Sequence, residues 1–299
     1  MKMTSINKKI SKAACLLMTA LLICSSVLMF AGCETSHPKV TITVTFDRQE
    51  YEIDYKLYRN MYPQTVRHFI ELANAGYYDG LAVHHYTSAF LCSGGYTYDG
   101  DSAANGGLIE KDYFAEAPKL NLTQSVYLLS DTDLTGGLNT VYGEFKSNGF
   151  EVQSNGLRHK YGVLVMDYFD IDSKEAPLVT TKLSGSKGTA EKSYSYNSAT
   201  SLFYIFTGES NTTRNSTRAV FGELAGSDAT DALDELLDAI EEYVSEHTKG
   251  DEDYSFTKEV NVVVGANDPI AEVAGAKIQA TYQVPNEPIV IKSVKVNKL

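Results

Sequence analysis

Tryptophan is missing from this chain, and cysteine occurs only four times in 299 residues. Positive charge is scarce: 26 Lys and Arg stand against 38 Asp and Glu, a net charge of −12 at pH 7. That balance excludes a phosphate-backbone partner, which calls for a clustered basic surface, so no nucleic acid is expected. Cys15, Cys24 and Cys33 fall in the first thirty-three residues, which leaves Cys92 alone downstream. A single downstream thiol forms no intramolecular disulfide, so the fold must be held by its core. Cys92 lies between Phe90-Leu91 and Gly94-Gly95 and reads as a small core residue. No repeat, heptad run or second long apolar run follows. The 43% apolar content is enough for a sizeable core. Twenty Tyr and twelve Phe favour pleated, half-buried surfaces and lean the composition toward β structure.

The first thirty-three residues read as an address. Lys2, Lys8, Lys9 and Lys12 make a positive start, residues 13–30 carry no charge, and Phe30-Ala31-Gly32-Cys33 closes the run. A basic start, an apolar middle and small residues before a break describe an export signal. The Cys directly after Ala-Gly resembles a bacterial lipobox, in which Cys33 would take up lipid and become the first mature residue. A plain membrane anchor is the other reading, since eighteen uncharged residues nearly span a bilayer. Both readings place the rest outside the cytoplasm. Loss of residues 1–32 would remove four lysines and no acid, making the chain more acidic still.

Residues 33–39 form a short tether. Val40–Phe46 and Tyr51–Leu57 alternate apolar and polar with period two and predict paired strands. The period then changes: Val66, Phe69, Ile70 and Ala73 recur at helical spacing between Pro63, suited to a first helical position, and Gly76, suited to a stop. Short strands are expected at 82–86, 90–93, 125–129, 162–166, 202–207 and 219–221. Residues 169–199, polar and small, break the pattern and read as a surface insertion. A second helix is expected from Ser227 or Asp228, with Leu233, Leu236, Leu237, Ile240 and Val244 as its apolar stripe. Ile289–Val296 predicts a closing strand. Two helices among many short strands argue a mainly β domain, a barrel or sandwich with helices at its ends.

Four ordered segments resemble the cyclophilin family. Pro63-Gln-Thr-Val-Arg-His-Phe69 with Gly76-Tyr-Tyr-Asp-Gly-Leu81 is similar to its helix and Y-D-G-L turn. Val83-His84-His85 and Phe90-Leu-Cys-Ser-Gly-Gly95 stand in register with its F-H-R and F-M-I-Q-G-G-like strands. Gly143-Glu-Phe-Lys-Ser-Asn-Gly149 and Leu157–Met166 resemble bacterial members' G-E-F-x-S-N-G and H-x-R-G-x-x-S-M. Ser201-Leu-Phe-Tyr-Ile205 and Val220-Phe-Gly222 resemble S-Q-F-F-I and the A-F-G strand. The resemblance spans residues 40–299 apart from the insertion. It implies a closed antiparallel eight-stranded barrel capped by two α-helices, and a peptidyl-prolyl cis–trans isomerase needing no metal or other cofactor.

By the same resemblance, His85 stands where the family places its catalytic Arg. The substrate-binding positions fall on Phe90, Leu91, Ser93, Leu202, Tyr204 and Arg214. Phe90 keeps the pocket aromatic, Leu91 replaces a Met, and Tyr204 replaces a Phe and adds a hydroxyl. Ser93 and Leu202 each replace a Gln, and Arg214 displaces an apolar wall. Arg is always charged and presents five donors, whereas neutral His presents one on a shorter arm, so a slower isomerase is expected. Arg214 and Arg218 are alternative cations. Its partners would be proline-containing polypeptides outside the cytoplasm and a bacterial membrane, held through the lipid on Cys33. A catalytically silent peptide-binding module or holdase on the same fold is the rival reading. A scaffold whose function resides in residues 169–199 is another.

Other constellations carry less. His68, His84 and His85 do not follow a metal-ligand spacing. The Asp131 loop has Tyr142 where a calcium loop needs Glu. Gly94-Gly95 lacks the Lys-Ser/Thr of a phosphate loop. The lipobox reading is checked by Cys33→Ala, which is expected to leave an uncleaved precursor or release the protein from the membrane fraction. A mature-sized Cys33→Ala chain still in that fraction would contradict it.

Overall fold

The computed structural model describes residues 35–100, 104–150, 157–170, 178–182, 189–193, 196–210, 218–265, 267–268 and 278–299. The leader, Cys33 and Arg214 lie outside the described residues.

The two period-two stretches form β1 (Lys39–Phe46) and β2 (Gln49–Leu57), an antiparallel hairpin registered Ile42 to Ile53 and Val44 to Tyr51. Its tight turn places Asp47 and Arg48 at positive φ. Val40, Ile42, Val44, Ile53, Tyr55 and Leu57 are all withdrawn from water, so one face of the hairpin is core. Helix α1 (Pro63–Asn74) begins with Pro at its first turn and is followed by Gly76 at φ 68°. Its N-terminal amides find no capping side chain on Tyr62. Instead Glu144, buried and brought in from the Gly143–Gly149 stretch, accepts the Thr65 N–H at 2.8 Å. Burial raises the Glu144 carboxyl to about 7, against the lowering effect of that backbone bond.

The short strands follow as β3 (Leu81–Ala82), β4 (His85–Thr87), β5 (Phe90–Ser93), β6 (Tyr96–Tyr98), β7 (Leu108–Glu110), β8 (Val126–Leu128), β9 (Val141–Tyr142) and β10 (Leu164–Met166). Between β7 and β8 lies a single-turn helix, α2 (Tyr113–Glu116). Then come β11 (Phe169–Asp170), β12 (Leu178–Lys182), β13 (Thr189–Ser193), β14 (Tyr196–Ala199), β15 (Phe203–Phe206) and β16 (Val220–Leu224). Helix α3 (Ser227–Gly250) precedes β17 (Thr257–Val264), β18 (Ile278–Pro285) and β19 (Val290–Lys298).

The principal sheet has nine strands in the order β3-β19-β1-β2-β16-β10-β15-β5-β4. It is curled but open, not the closed eight-stranded barrel expected. Its two edge strands, β3 and β4, are neighbours in the chain, separated only by Val83 and His84. No ladder joins them. Val83 donates its N–H to the Ile289 carbonyl on one side, and His84 donates to that of Cys92 on the other. One chain segment therefore bridges the two edges covalently, where a ladder would have closed them.

The two expected helices pack on this sheet. α1 presents Val66, Phe69 and Ile70 to the core, and α3 presents Leu233, Leu236 and Ile240, all buried. Leu237 and Val244 of the expected stripe are only partly covered. Two further differences bear on the site. The stretch read as an insertion carries β12 and β13, which extend β8, and β11 and β14, of which β14 pairs with β9 and β11 with β14. The hairpin β17–β18, registered Val260 to Tyr282, lies in a region left without elements by the sequence reading.

Phe69 has no exposed surface, and its ring centroid lies 5.0, 5.3 and 5.1 Å from those of Tyr78, Phe203 and Phe221. Phe69→Ala is expected to cost about 3–5 kcal/mol. At about 2–4 °C per kcal/mol for a domain of this size, that lowers the melting temperature by roughly 10 °C. A calorimetric shift within error would remove Phe69 from the core.

Candidate active site

The site is built where β5 meets β15. Their ladder pairs Ser93 with Phe203, Cys92 with Tyr204 and Phe90 with Phe206. Residues directly opposite in an antiparallel pair share a face, and faces alternate along each strand. Phe90, Cys92, Tyr204 and Phe206 therefore line one side, where they border a cavity of about 460 Å³. Leu91, Phe203 and Ile205 point the other way, into the core.

Three elements lock this register. His68 on α1 bonds through Nε2 to the Thr200 carbonyl at 2.9 Å, which anchors the start of β15. Burial pulls His68 down to about 4, so at neutral pH it is an uncharged Nε2–H donor. Ser201 Oγ donates to the Gly94 carbonyl at 2.6 Å. Asn267, buried just beyond β17, donates through Nδ2 to the Gly95 carbonyl at 2.9 Å.

Of the residues expected at the site, His85, Phe90 and Tyr204 border the cavity. Leu91 is buried in the core cluster. Ser93 is buried and donates its hydroxyl to the Ala82 carbonyl at 2.8 Å. Leu202, also buried, lies over Gly95, where a side chain would meet it. None of these three borders the cavity: the pleat turns Leu91 and Ser93 away from the face that Cys92 takes, and Leu202 packs over Gly95 instead. Arg214 lies outside the described residues.

His85 is half-buried. Its Nδ1 accepts the backbone N–H of Gln283 on β18 at 2.7 Å. An accepting Nδ1 carries no proton, so the neutral ring keeps its single N–H on Nε2. The ring is flanked by Phe90 at 5.1 Å and Tyr282 at 5.7 Å between centroids. Desolvation lowers its pKa below the ordinary 6.5, and protonation would set a second N–H against that of Gln283. Below it His84, wholly buried against Tyr96 and Tyr282, is pulled down to about 3 by burial and by the neighbouring His85.

The polar side of the cavity is formed by residues the sequence reading did not assign to it. His159 approaches the Tyr204 hydroxyl at 3.2 Å through Nε2, with its ring 3.9 Å from Phe206. Asp167 borders the cavity and accepts from the Cys92 thiol at 3.7 Å. Desolvation raises the Asp167 carboxyl, and the charge of Arg218 pulls it back. Tyr282 closes the opposite wall. The signal for Tyr282 was the Val260-Val262-Val264 alternation that builds its hairpin.

The family model for cyclophilin-type peptidyl-prolyl cis-trans isomerases matches residues 41–264. The chain belongs to the cyclophilin family. Proteins of Staphylococcus aureus strains USA300 and NCTC 8325, both assigned by name to the peptidyl-prolyl isomerases, are 32% identical over 79 residues. That match covers 25% of this chain and 40% of theirs, so this cyclophilin spans about two fifths of the length of these relatives. The crystal structure of a Cryptosporidium parvum cyclophilin-type isomerase superposes on 88% of the chain and 99% of its own, at 14% identity and a TM-score of 0.43. The same protein crystallised in the presence of the dipeptide Ala-Pro gives 0.41.

The His85 assignment is tested by NMR titration of the side-chain nitrogens. His85 is expected to remain the Nε2–H tautomer at pH 7 and to protonate with a midpoint below 6.5, while His68 and His84 stay neutral from pH 8 down to about 5. An Nδ1–H tautomer, or a midpoint above 6.5, would break the Gln283 clamp.

Proposed function

We propose that this cyclophilin is a peptidyl-prolyl cis–trans isomerase acting on proline-containing segments of exported polypeptides, tethered through a lipid on Cys33 to the extracytoplasmic side of a bacterial membrane. The observation that carries the reading is the cavity on the face shared by β5 and β15. Its volume suits a short peptide segment. Phe90 and Tyr204 pack side by side on one wall of it with centroids 5.6 Å apart, a joint apolar surface suited to a prolyl ring.

The chemistry asks little of such a site. A peptide bond resists rotation by about 18–20 kcal/mol because the nitrogen lone pair is delocalised. The two X–Pro isomers differ by only about 1 kcal/mol but exchange over tens of seconds or longer. In the twisted state the lone pair returns to the prolyl nitrogen. A donor aimed there binds the twisted state better than the planar one, and that difference is the catalysis. The lipid tether rests on the basic, apolar and Ala-Gly-Cys sequence of residues 1–33.

One observation favours the silent binding module instead. Among the described residues the cavity is bordered by no Arg or Lys, and His85 has its Nδ1 engaged by backbone. Exchange NMR on a prolyl tetrapeptide, run beside a binding titration, separates the two. Acceleration above the uncatalysed rate is expected. Saturable binding with no acceleration would replace the isomerase with a binding module.

A further inference from the structure

We propose that this cyclophilin grips its client at two places. The prolyl residue sits on the β5–β15 wall, and an apolar residue with an adjoining Lys or Arg, about three to five positions away in the same client chain, sits in a second groove between α3 and β4. The inference rests on the reading that the wall receives a prolyl peptide, and adds which flanking residues the protein selects.

The groove has a volume of about 420 Å³. Its floor is apolar: Tyr86 of β4, Phe256 just before β17, and Leu237, Ile240 and Val244 of α3. Tyr86 and Phe256 pack edge to face with centroids 5.3 Å apart. Leu237 and Val244 belong to the apolar stripe of α3 but are only partly covered. The stripe is thus wider than the core it closes, and the surplus lines the groove. A concave apolar floor with few polar groups suits a hydrophobic side chain.

One turn separates this groove from the prolyl cavity. Ser88 borders the groove and Ala89 the cavity, while Thr207 borders the groove and Phe206 the cavity. Thr207 donates its N–H to the Ala89 carbonyl at 2.7 Å and its hydroxyl to the Ser88 carbonyl at 3.1 Å, so the two pairs form one cross-linked rim. Alternation turns Phe206 to one face of the sheet and Thr207 to the other. A client leaving the cavity reaches the groove by crossing the end of the sheet. A sheet layer is about 10 Å deep and an extended chain covers about 3.3 Å per residue, which sets the spacing of three to five.

The charge at this end has one sign. Glu209, exposed, follows Thr207 by two residues at the rim, and Glu241, exposed, borders the groove. No Lys or Arg is among the described residues that border the cavity or the groove. A flank carrying Lys or Arg is attracted there and an acidic flank repelled. An exposed ion pair is worth at most about fivefold in affinity. The apolar residue therefore supplies most of the grip and the cation the selectivity. Since one methylene in an apolar pocket is worth about tenfold or more, a leucine is expected to tighten binding at least about tenfold after the cost of ordering the flank.

The test compares a prolyl tetrapeptide with a longer peptide that keeps the same prolyl core and carries a Leu-Lys pair about four residues to either side. The readout is the ratio of the two dissociation constants by calorimetry, with isomerisation of each followed by exchange NMR and folding of each variant checked by circular dichroism. The wild type is expected to bind the longer peptide at least about tenfold more tightly. Leu237→Gln with Val244→Gln should bring the ratio to within about twofold of one. Glu241→Lys, a surface exchange, should lower the ratio by about two- to fivefold at about 0.1 M salt and by less at about 1 M, where screening is strong. A wild type that neither binds nor accelerates the tetrapeptide overturns the reading of the wall, and this proposal with it. A tetrapeptide that is bound or turned over, with no gain for the longer peptide, overturns this proposal alone. So does a gain that survives both sets of substitutions. A dimer in sedimentation that Leu237→Gln with Val244→Gln abolishes would assign the groove to a second copy of the chain and also overturn it.

Discussion

The site depends on one close backbone approach. Gly94 sits at φ 109° against the backbone of Ser201, where any side chain would collide with the Ser201 carbonyl. Only a residue without Cβ permits this conformation and this distance. With Ser201 Oγ bonded to the Gly94 carbonyl, the end of β5 is pinned to the start of β15. Register in a sheet is all or nothing: a slip of one residue turns every side chain to the opposite face. The pinned register therefore decides that Phe90, Cys92, Tyr204 and Phe206 form the cavity wall and that Leu91, Phe203 and Ile205 form core.

The remaining features of the site follow from what surrounds that wall. The β17–β18 hairpin covers the β4 edge and brings Tyr282 and the Gln283 N–H onto His85. An edge strand exposes unpaired backbone, and covering it is one way a fold protects it. Here the covering element also fixes the tautomer of the histidine beneath. On the other flank, a tyrosine hydroxyl, a histidine and an aspartate give a polar end to a cavity otherwise walled largely by aromatic rings. The polar groups that border the cavity thus gather on the side formed by β15 and the residues around it.

Much of this was legible in the sequence wherever periodicity and punctuation agreed. Pro63 and Gly76 bracket an apolar stripe of helical spacing, and α1 ends within a residue of the expected stop. β1 and β2 follow from alternation, and β5 from its apolar run and flanking turns. The site was legible only in part, for a physical reason. Phe90, Leu91 and Cys92 are all apolar, so a run of three carries no alternation from which to tell which face each takes. The face was set by the distant Gly94–Ser201 contact instead. The β17–β18 hairpin was overlooked because half of each strand is polar and its apolar positions face a neighbouring sheet, not the main core. The strands within residues 169–199 are short and interrupted by Ser, Gly and Lys, and they owe their pairing to partners in β8 and β9 far earlier in the chain.

The central claim is that the wall formed by β5 and β15 receives the prolyl residue. A crystal structure with a bound Ala-Pro-containing peptide tests it most directly. The account predicts the prolyl ring packed against the wall that Phe90 and Tyr204 form together, with the peptide passing beneath Tyr282. A peptide seated away from this wall, for instance along the outer face of the β17–β18 hairpin, would contradict it.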